Sequence, residues 1–266
     1  MTRKDRRKII NNVSSSIFSK LVYAFIYLPV VILVVFSFND QKANTHWVGF
    51  TTEWYVKLFH DSELLGTFGN TLIVAVVSTV LAVIIGTIGA VGLVRFNFKG
   101  KSVINNALYV PIVIPEIVLA VALLSIFSAI SFPLGILTLI LGHTTLTVPF
   151  VIITIKSRLS GFDQSVEEAS MDLGASRRTT FLKVTLPMIM PGVMSGGFLA
   201  FTLSLDDLII SNFIAGTKCM TFPVKVYSMV KSGISPEVNA LTTILIALFL
   251  AGLLVSKVLN RRRSLA

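Results

Sequence analysis

The sequence predicts an all-α integral membrane protein with six transmembrane helices, on three observations. Of 266 residues, 54% are hydrophobic, and the mean hydropathy is +0.83. Charged residues make up 14% of the chain, against roughly 25% in a soluble domain. Those charges are gathered between apolar runs long enough to cross a hydrocarbon core of about 30 Å. On a soluble fold a net charge of +10 would point to nucleic acid. Here the basic residues alternate with apolar spans, so their placement follows topology and no nucleic-acid partner is expected. The single Cys219 excludes a disulfide framework and a cysteine zinc site. His46, His60 and His143 are scattered, which gives a metal cluster no support.

Residues 1–266 read as a single transmembrane domain. The first span covers about 21–38 and holds no charge; Pro29 inside it is expected to kink the helix. The basic stretch before it, MTRKDRRKIINN, precedes an apolar run that is too long for a signal peptide and lacks a small-residue cleavage site. A retained span with a basic anchor is therefore expected. Residues 39–68 read as a polar loop, with Trp47, Trp54 and Tyr55 at the membrane interface. The second span, about 71–94, carries Gly86, Gly89 and Gly92, a spacing that lets another helix approach closely. The third, about 103–127, is interrupted near its middle by Pro111, Pro115 and Glu116. The fourth covers about 133–155, the fifth about 188–215 with Asp206 and Asp207 inside it, and the sixth about 239–256.

Six spans put both termini on one side, and basic residues choose the side. With the N-terminus, the turn at 95–101, the stretch 156–187 and the C-terminus in the cytoplasm, 18 of the 23 Lys and Arg lie there.

The stretch 156–187 is a polar island between apolar spans, with nine charged residues among its 32. Ser165 followed by Glu168 has the spacing of a capping box, in which the hydroxyl accepts from the third backbone N–H and the carboxylate reaches back. Gly174 suits the left-handed position that ends a helix. Together these predict a short helix at about 165–173, a tight turn at Gly174–Ala175, and a second helix from near Ser176. The first helix would present Val166, Ala169, Ser170 and Leu173 on one face, small and apolar enough for a partner's groove.

Within this island Glu168-Ala169-Ser170, Gly174 four residues on, and Val184-Thr185-Leu186-Pro187 resemble the EAA loop of ABC importer permeases, E-A-A-x3-G-x9-I-x-L-P. Ser170 stands for the second Ala and Val184 for Ile. The resemblance implies a type I ABC importer permease fold, with a cytoplasmic coupling helix between spans 4 and 5 that docks on an ATPase. Glu168, Ala169, Ser170, Gly174, Leu186 and Pro187 would be the ATPase-coupling residues. Longer stretches, among them FTLSLDDLIISNFIAG and VYSMVKSGISPEVNALTTILI, resemble the polyamine-type permeases of spermidine and putrescine importers. That likeness implies a second permease subunit, two copies of a cytoplasmic ATPase and an extracytoplasmic polyamine-binding protein as partners, in a bacterial inner membrane. No catalytic role and no metal are expected. This chain has no G-x4-GK-[ST] phosphate loop, so ATP and Mg²⁺ belong on the partner ATPase.

The acids inside spans need a reason, because a central Asp costs on the order of 2.5–3.5 kcal/mol on insertion scales. Asp206, Asp207 and Glu116 are the candidate substrate-pathway residues, since carboxylates in a low-dielectric cavity attract an ammonium group. No Lys or Arg within the spans neutralises them. On a helix Asp206 and Asp207 would point about 100° apart, so only one would face a pathway; which one is open at this point. His143 reads as a packed or hydrogen-bonded side chain, and Trp47, Trp54, Tyr55 and Tyr227 as interface anchors rather than a cation cradle. Three rivals remain. A permease for another solute would fit the loop as well. An ion-driven secondary transporter would need no ATPase. An intramembrane enzyme would need clustered nucleophile, base or metal ligands, and these are not found.

Overall fold

A computed structural model describes residues 3–42, 46–217, 219–229 and 235–263. In chain order the helices are α1 (Arg3–Phe36), α2 (Glu53–His60), α3 (Ser62–Arg95), α4 (Lys101–Ala107), α5 (Val110–Val113), α6 (Glu116–Ala129) and α7 (Ile136–Ser160). They continue as α8 (Ser165–Asp172), α9 (Arg177–Thr180), a π-helical segment (Phe181–Thr185), α10 (Leu186–Leu205), α11 (Ile209–Ile214), α12 (Phe222–Met229) and α13 (Pro236–Arg263). Among the described residues extended pairing is limited to one bridge, Asn39 with Phe50. Four helices are long and apolar enough to cross a membrane: α1 from Ser15, α3, α7, and the run Arg177–Leu205 that ends in α10. The pair Lys101–Val113 and Glu116–Ala129 makes a fifth if it is one span bent by 109°. The break falls at Ile114 and Pro115, where an extended Ile114 precedes a proline that has no N–H to donate. The interruption expected in span 3 is thus a sharp corner.

Several boundaries differ from the sequence reading. The stretch read as a polar loop at 39–68 contains α2 and the first turns of α3, because polarity alone does not break a helix that caps and packs. The fifth span is two helices rather than one: α10 stops at Leu205 and α11 restarts at Ile209. Between 216 and 238 the chain contains α12, and residues 218 and 230–234 lie outside the described set.

Two compact units divide the chain, Met1–Leu65 with Ser228–Ala266, and Gly66–Tyr227. In the first, α13 packs against α1 and α2. Asn39 ties the link after α1 together: its side chain donates to the His46 carbonyl and accepts from Val48 N–H, both at 2.8 Å. Trp54 is buried, and its indole N–H donates to the Asn39 carbonyl at 2.7 Å. The Tyr55 hydroxyl pairs with Ser37 at 2.8 Å. Trp54 is therefore a packed core residue, which corrects its reading as an interface anchor; Trp47 and Tyr227 are exposed.

The second unit is built on α7. One apolar cluster joins Leu139 and Leu146 of α7 to Leu119 and Leu123 of α6 and Ile210 and Ile214 of α11. Another joins Val151 and Ile155 of α7 to Ala82 and Ala90 of α3 and Ile189 and Ala200 of α10. Lipid tails are as apolar as leucine, so in a bilayer these helices gain by close packing rather than by escaping water. Glycine supplies the closeness. A Cβ on Gly86 would come within 2.6 Å of Val151 Cγ1, and one on Gly196 within 3.3 Å of Val151 Cα, so α3 and α10 grip the same residue from two sides. The expected packing role holds for Gly86 and Gly89, whereas Gly92 has open space beside it. Gly86→Leu is expected to separate α3 from α7 at a cost of about 1–3 kcal/mol, read as a lower unfolding temperature in detergent.

Candidate functional site

The break between α10 and α11 sets the fates of two adjacent acids. Helix α10 ends at Leu205, and Asp206 is exposed while Asp207 is buried. The Asp207 carboxylate accepts from Ile210 N–H at 3.2 Å and from Ser211 N–H at 2.7 Å. It thereby caps α11, meeting two of the donors that a helix start leaves free. The sequence reading had the two acids 100° apart on one helix; they do diverge, but because both lie in the break after α10 has ended and before α11 begins.

Asp207 has a partner that a search for Lys and Arg overlooks. His143 of α7 is 1% exposed, and its Nε2 lies 3.2 Å from Asp207 Oδ2 and 3.0 Å from Ser211 Oγ. Its Nδ1 lies 2.6 Å from Ser204 Oγ, which in turn is 3.0 Å from Ser78 Oγ of α3. With the ring neutral, the carboxylate assigns the proton to Nε2, and Nδ1 then accepts from Ser204. The string Ser78–Ser204–His143–Asp207 so links α3, α10, α7 and the start of α11, and every member is buried. A buried polar string of this kind holds its members in one arrangement, since any gap leaves an unmet buried group. His143 is hydrogen-bonded, as its isolation in an apolar run suggested; its partners are 61 and 68 residues away, and no local signal points to them.

Glu116, the first residue of α6, comes up from the bend between α5 and α6. Its side chain lies near those of Asp207 and Asp206. Acids from two separate spans are thus brought to one place, with Asp206 the exposed member. Among the described residues no group of three or more His, Cys, Asp and Glu has the arrangement of a metal site.

The polar island forms a helical hairpin. Helix α8 covers Ser165–Asp172, Gly174 takes φ +89°, and α9 follows from Ser176, whose hydroxyl accepts from Thr179 N–H at 3.2 Å. Ala175 N–H reaches the Ser170 carbonyl at 3.1 Å and Gly174 N–H the Met171 carbonyl at 2.9 Å, the paired closing bonds of a Schellman turn. The expected turn is therefore present. The capping box is not: Ser165 is the first helical residue and makes no cap, and Asp163 accepts from Ser165 N–H at 3.0 Å instead. That N–H and the Ser165 hydroxyl hold the exposed Asp163 carboxyl below the usual aspartate range. Glu168 points outward and is exposed. Val166, Ala169, Ser170 and Leu173 do share a face; they line an open groove of about 460 Å³ with Lys183 and Val184, and Leu173 is 90% exposed. Leu186 and Pro187 open α10, directly after the π-helical segment.

The neighbouring Glu167, which the sequence reading passed over, turns inward. Its Oε2 lies 3.0 Å from Arg95 Nε at the end of α3, and its Oε1 accepts from the Thr185 hydroxyl at 2.7 Å. The Arg95 guanidinium sits over the Phe162 ring at 5.5 Å. Arg95 entered the sequence reading only as one of the charges that orient the chain.

Apolar membrane-length helices, a polar helical hairpin and a helix broken at a buried acid define a membrane-embedded subunit. The chain belongs to the family of binding-protein-dependent transport system inner membrane components, whose model matches residues 78–264. It is 43% identical over 247 residues to the spermidine/putrescine transport system permease protein PotC of Escherichia coli K12, covering 93% of this chain and 94% of that one. To the putrescine transport system permease protein PotI of the same organism it is 42% identical over 233 residues, or 85% and 83% of the two chains. Its fold is similar to a chain in the crystal structure of a bacterial ABC transporter involved in the import of the acidic polysaccharide alginate. The TM-score is 0.74 with coverage of 97% and 98%, and at 16% identity the likeness is one of fold.

Proposed function

We propose that this chain is one of two permease subunits of an ATP-driven importer of polyamines, spermidine or putrescine, and lines half of the translocation pathway. The observation that carries the substrate class is the identity along 93% of the chain to a spermidine/putrescine permease. The acids at the broken helix agree with it: exposed Asp206, beside Glu116, offers a carboxylate to an ammonium group in surroundings that strengthen the attraction. Six spans would be completed by the bent α4–α6 run and by α13, whose apolar part is Pro236–Gly252. Both termini and the α8–α9 hairpin would face the cytoplasm, following the basic residues.

In this reading α8 is the coupling helix, and the groove along Val166, Ala169 and Leu173 meets a cytoplasmic ATPase. ATP and Mg²⁺ are held there, on two copies of that subunit, and this chain performs no chemistry. A second permease completes the pathway, and an extracytoplasmic binding protein delivers the polyamine. Closure of the ATPase pair moves the hairpin; the chain's own residues convert that movement into access for Asp206.

Two measurements test the reading. Labelled spermidine and putrescine uptake by the assembled complex is expected to fall roughly tenfold in Asp206→Asn, the worth of about 1.4 kcal/mol of lost attraction, with no change in unfolding temperature. Uptake equal to wild type removes Asp206 from the pathway. For the coupling helix, Leu173→Asp places a charge in the groove, and Gly174→Asp puts a side chain where φ is +89°. Either is expected to release the ATPase subunit during purification; co-purification and transport that both survive the two substitutions overturn the docking.

A further inference from the structure

We propose that Glu167 is a positioning residue through which α8 drives α3 directly, with Arg95 and Thr185 as its two grips. The inference rests on the reading of α8 as the coupling helix. It adds a route from that helix into the membrane that does not pass through the chain continuing into α10.

No residue of α8 is buried, so the helix is not moored by an apolar side chain sunk in the core. What crosses from it to α3 is the Glu167–Arg95 pair, and with side chains 12% and 13% exposed the pair is largely shielded from water. Shielding matters because an exposed pair of this kind is screened and transmits little force, whereas one out of water resists separation. The other carboxylate oxygen holds Thr185, the last residue of the π-helical segment that leads into α10. A single side chain of α8 thus grips the end of α3 and the foot of α10 together. Glu168, one residue on, lies about 100° around the helix and faces outward, which leaves it to the partner.

The pair is also incompletely made. Arg95 Nε is 3.0 Å from Oε2 but is not aligned to donate, and Nη2 is buried with no acceptor. Guanidinium and carboxylate prefer a two-pronged grip, so a small displacement of α8 toward that geometry is favoured. Space for it exists: a cavity of about 360 Å³ opens beside the pair, lined by Arg95, Gln164, Glu167, Met171 and Arg177. The arrangement suits a joint with two settings better than a fixed strut.

The test uses the whole importer in lipid vesicles, with spermidine uptake and ATP hydrolysis measured on the same preparation. Glu167→Gln and Arg95→Gln are expected to keep the ATPase bound and hydrolysing while spermidine carried per ATP falls about tenfold. The exchanged pair Arg95→Glu with Glu167→Arg is expected to recover at least a third of the wild-type ratio. A spin label at Phe98→Cys, just past α3, is expected to shift on ATP binding in wild type and to lose that shift in Glu167→Gln, a readout independent of cargo. A merely structural pair would lower both activities in parallel; an unchanged ratio together with an intact label shift overturns the proposal. If Glu167→Gln does not assemble, Thr185→Val, which keeps the ion pair and removes one grip, is judged by the same two readouts. Leu173→Asp runs alongside. Should it leave the ATPase bound and coupled, the coupling-helix reading itself falls. Should it release the ATPase while Glu167→Gln transports at the full ratio, only the joint falls.

Discussion

Asp207→Ala is expected to destabilise the permease by about 3–5 kcal/mol, seen as a large drop in unfolding temperature in detergent and a low yield of assembled complex. The substitution removes the carboxylate that meets Ile210 and Ser211 N–H at the start of α11. Buried N–H groups left without acceptors cost about 1–3 kcal/mol each. It also strips His143 Nε2 of one of its two partners, in a site where both side chains are essentially sealed from solvent. Asp207→Asn keeps one acceptor oxygen and the shape, so its loss is expected to be about half as large. His143→Ala should fall between the two, since it breaks the string at Ser204 and Ser211 but leaves the cap. The comparison with Asp206→Asn is the informative one. That variant should fold like wild type and lose uptake, whereas the Asp207 variants should lose stability. An Asp207→Ala protein that melts with wild type would mean that the cap and the pair contribute nothing.

Gly216→Ala is the second substitution expected to be severe, at about 2–5 kcal/mol. Gly216 holds φ +67°, where an L-residue is disfavoured by roughly 1–2 kcal/mol. Its Cβ would also stand 2.9 Å from the Leu134 carbonyl oxygen and 3.0 Å from Leu134 Cβ, at the link between α6 and α7. A backbone atom cannot swing aside as a side chain can, so overpacking adds about 1–3 kcal/mol. The displacement would pull on the end of α11, where Ile214 O accepts from the Thr138 hydroxyl at 2.7 Å. Gly174→Ala is the control: φ is +89° there, but the space beside it is empty, so only the backbone penalty applies. Thermal unfolding of the two variants side by side checks this, with Gly216→Ala melting well below Gly174→Ala. Equal melting would show that the Leu134 contact relaxes freely.

Much of the site was legible locally. The Gly174 turn and the helix at Ser176 follow from residues within a few positions of one another, and backbone geometry there is decided by the chain's own neighbours. The capping box failed for a similarly local reason: the helix starts one residue early, so Ser165 lies inside it, and Glu168 N–H bonds to the Gln164 carbonyl rather than to the serine hydroxyl. Span 5 was misread as one helix because an apolar run carries no mark of where a cap from a distant network will interrupt it.

Composition, the length of the apolar runs and the placement of charge determined by themselves that this is a helical membrane subunit, and the spacing around Gly174 marked the turn of the α8–α9 hairpin. These are periodic or short-range signals, and periodicity survives in one dimension. The tertiary structure decided which acid is exposed and which is a cap, that His143 is the partner of Asp207, and that Glu167 rather than Glu168 reaches α3. The cap is local, but the His143–Asp207 and Arg95–Glu167 pairs join side chains 64 and 72 residues apart in sequence at about 3 Å. Only the crossing of α3, α7 and α10 brings them to that distance.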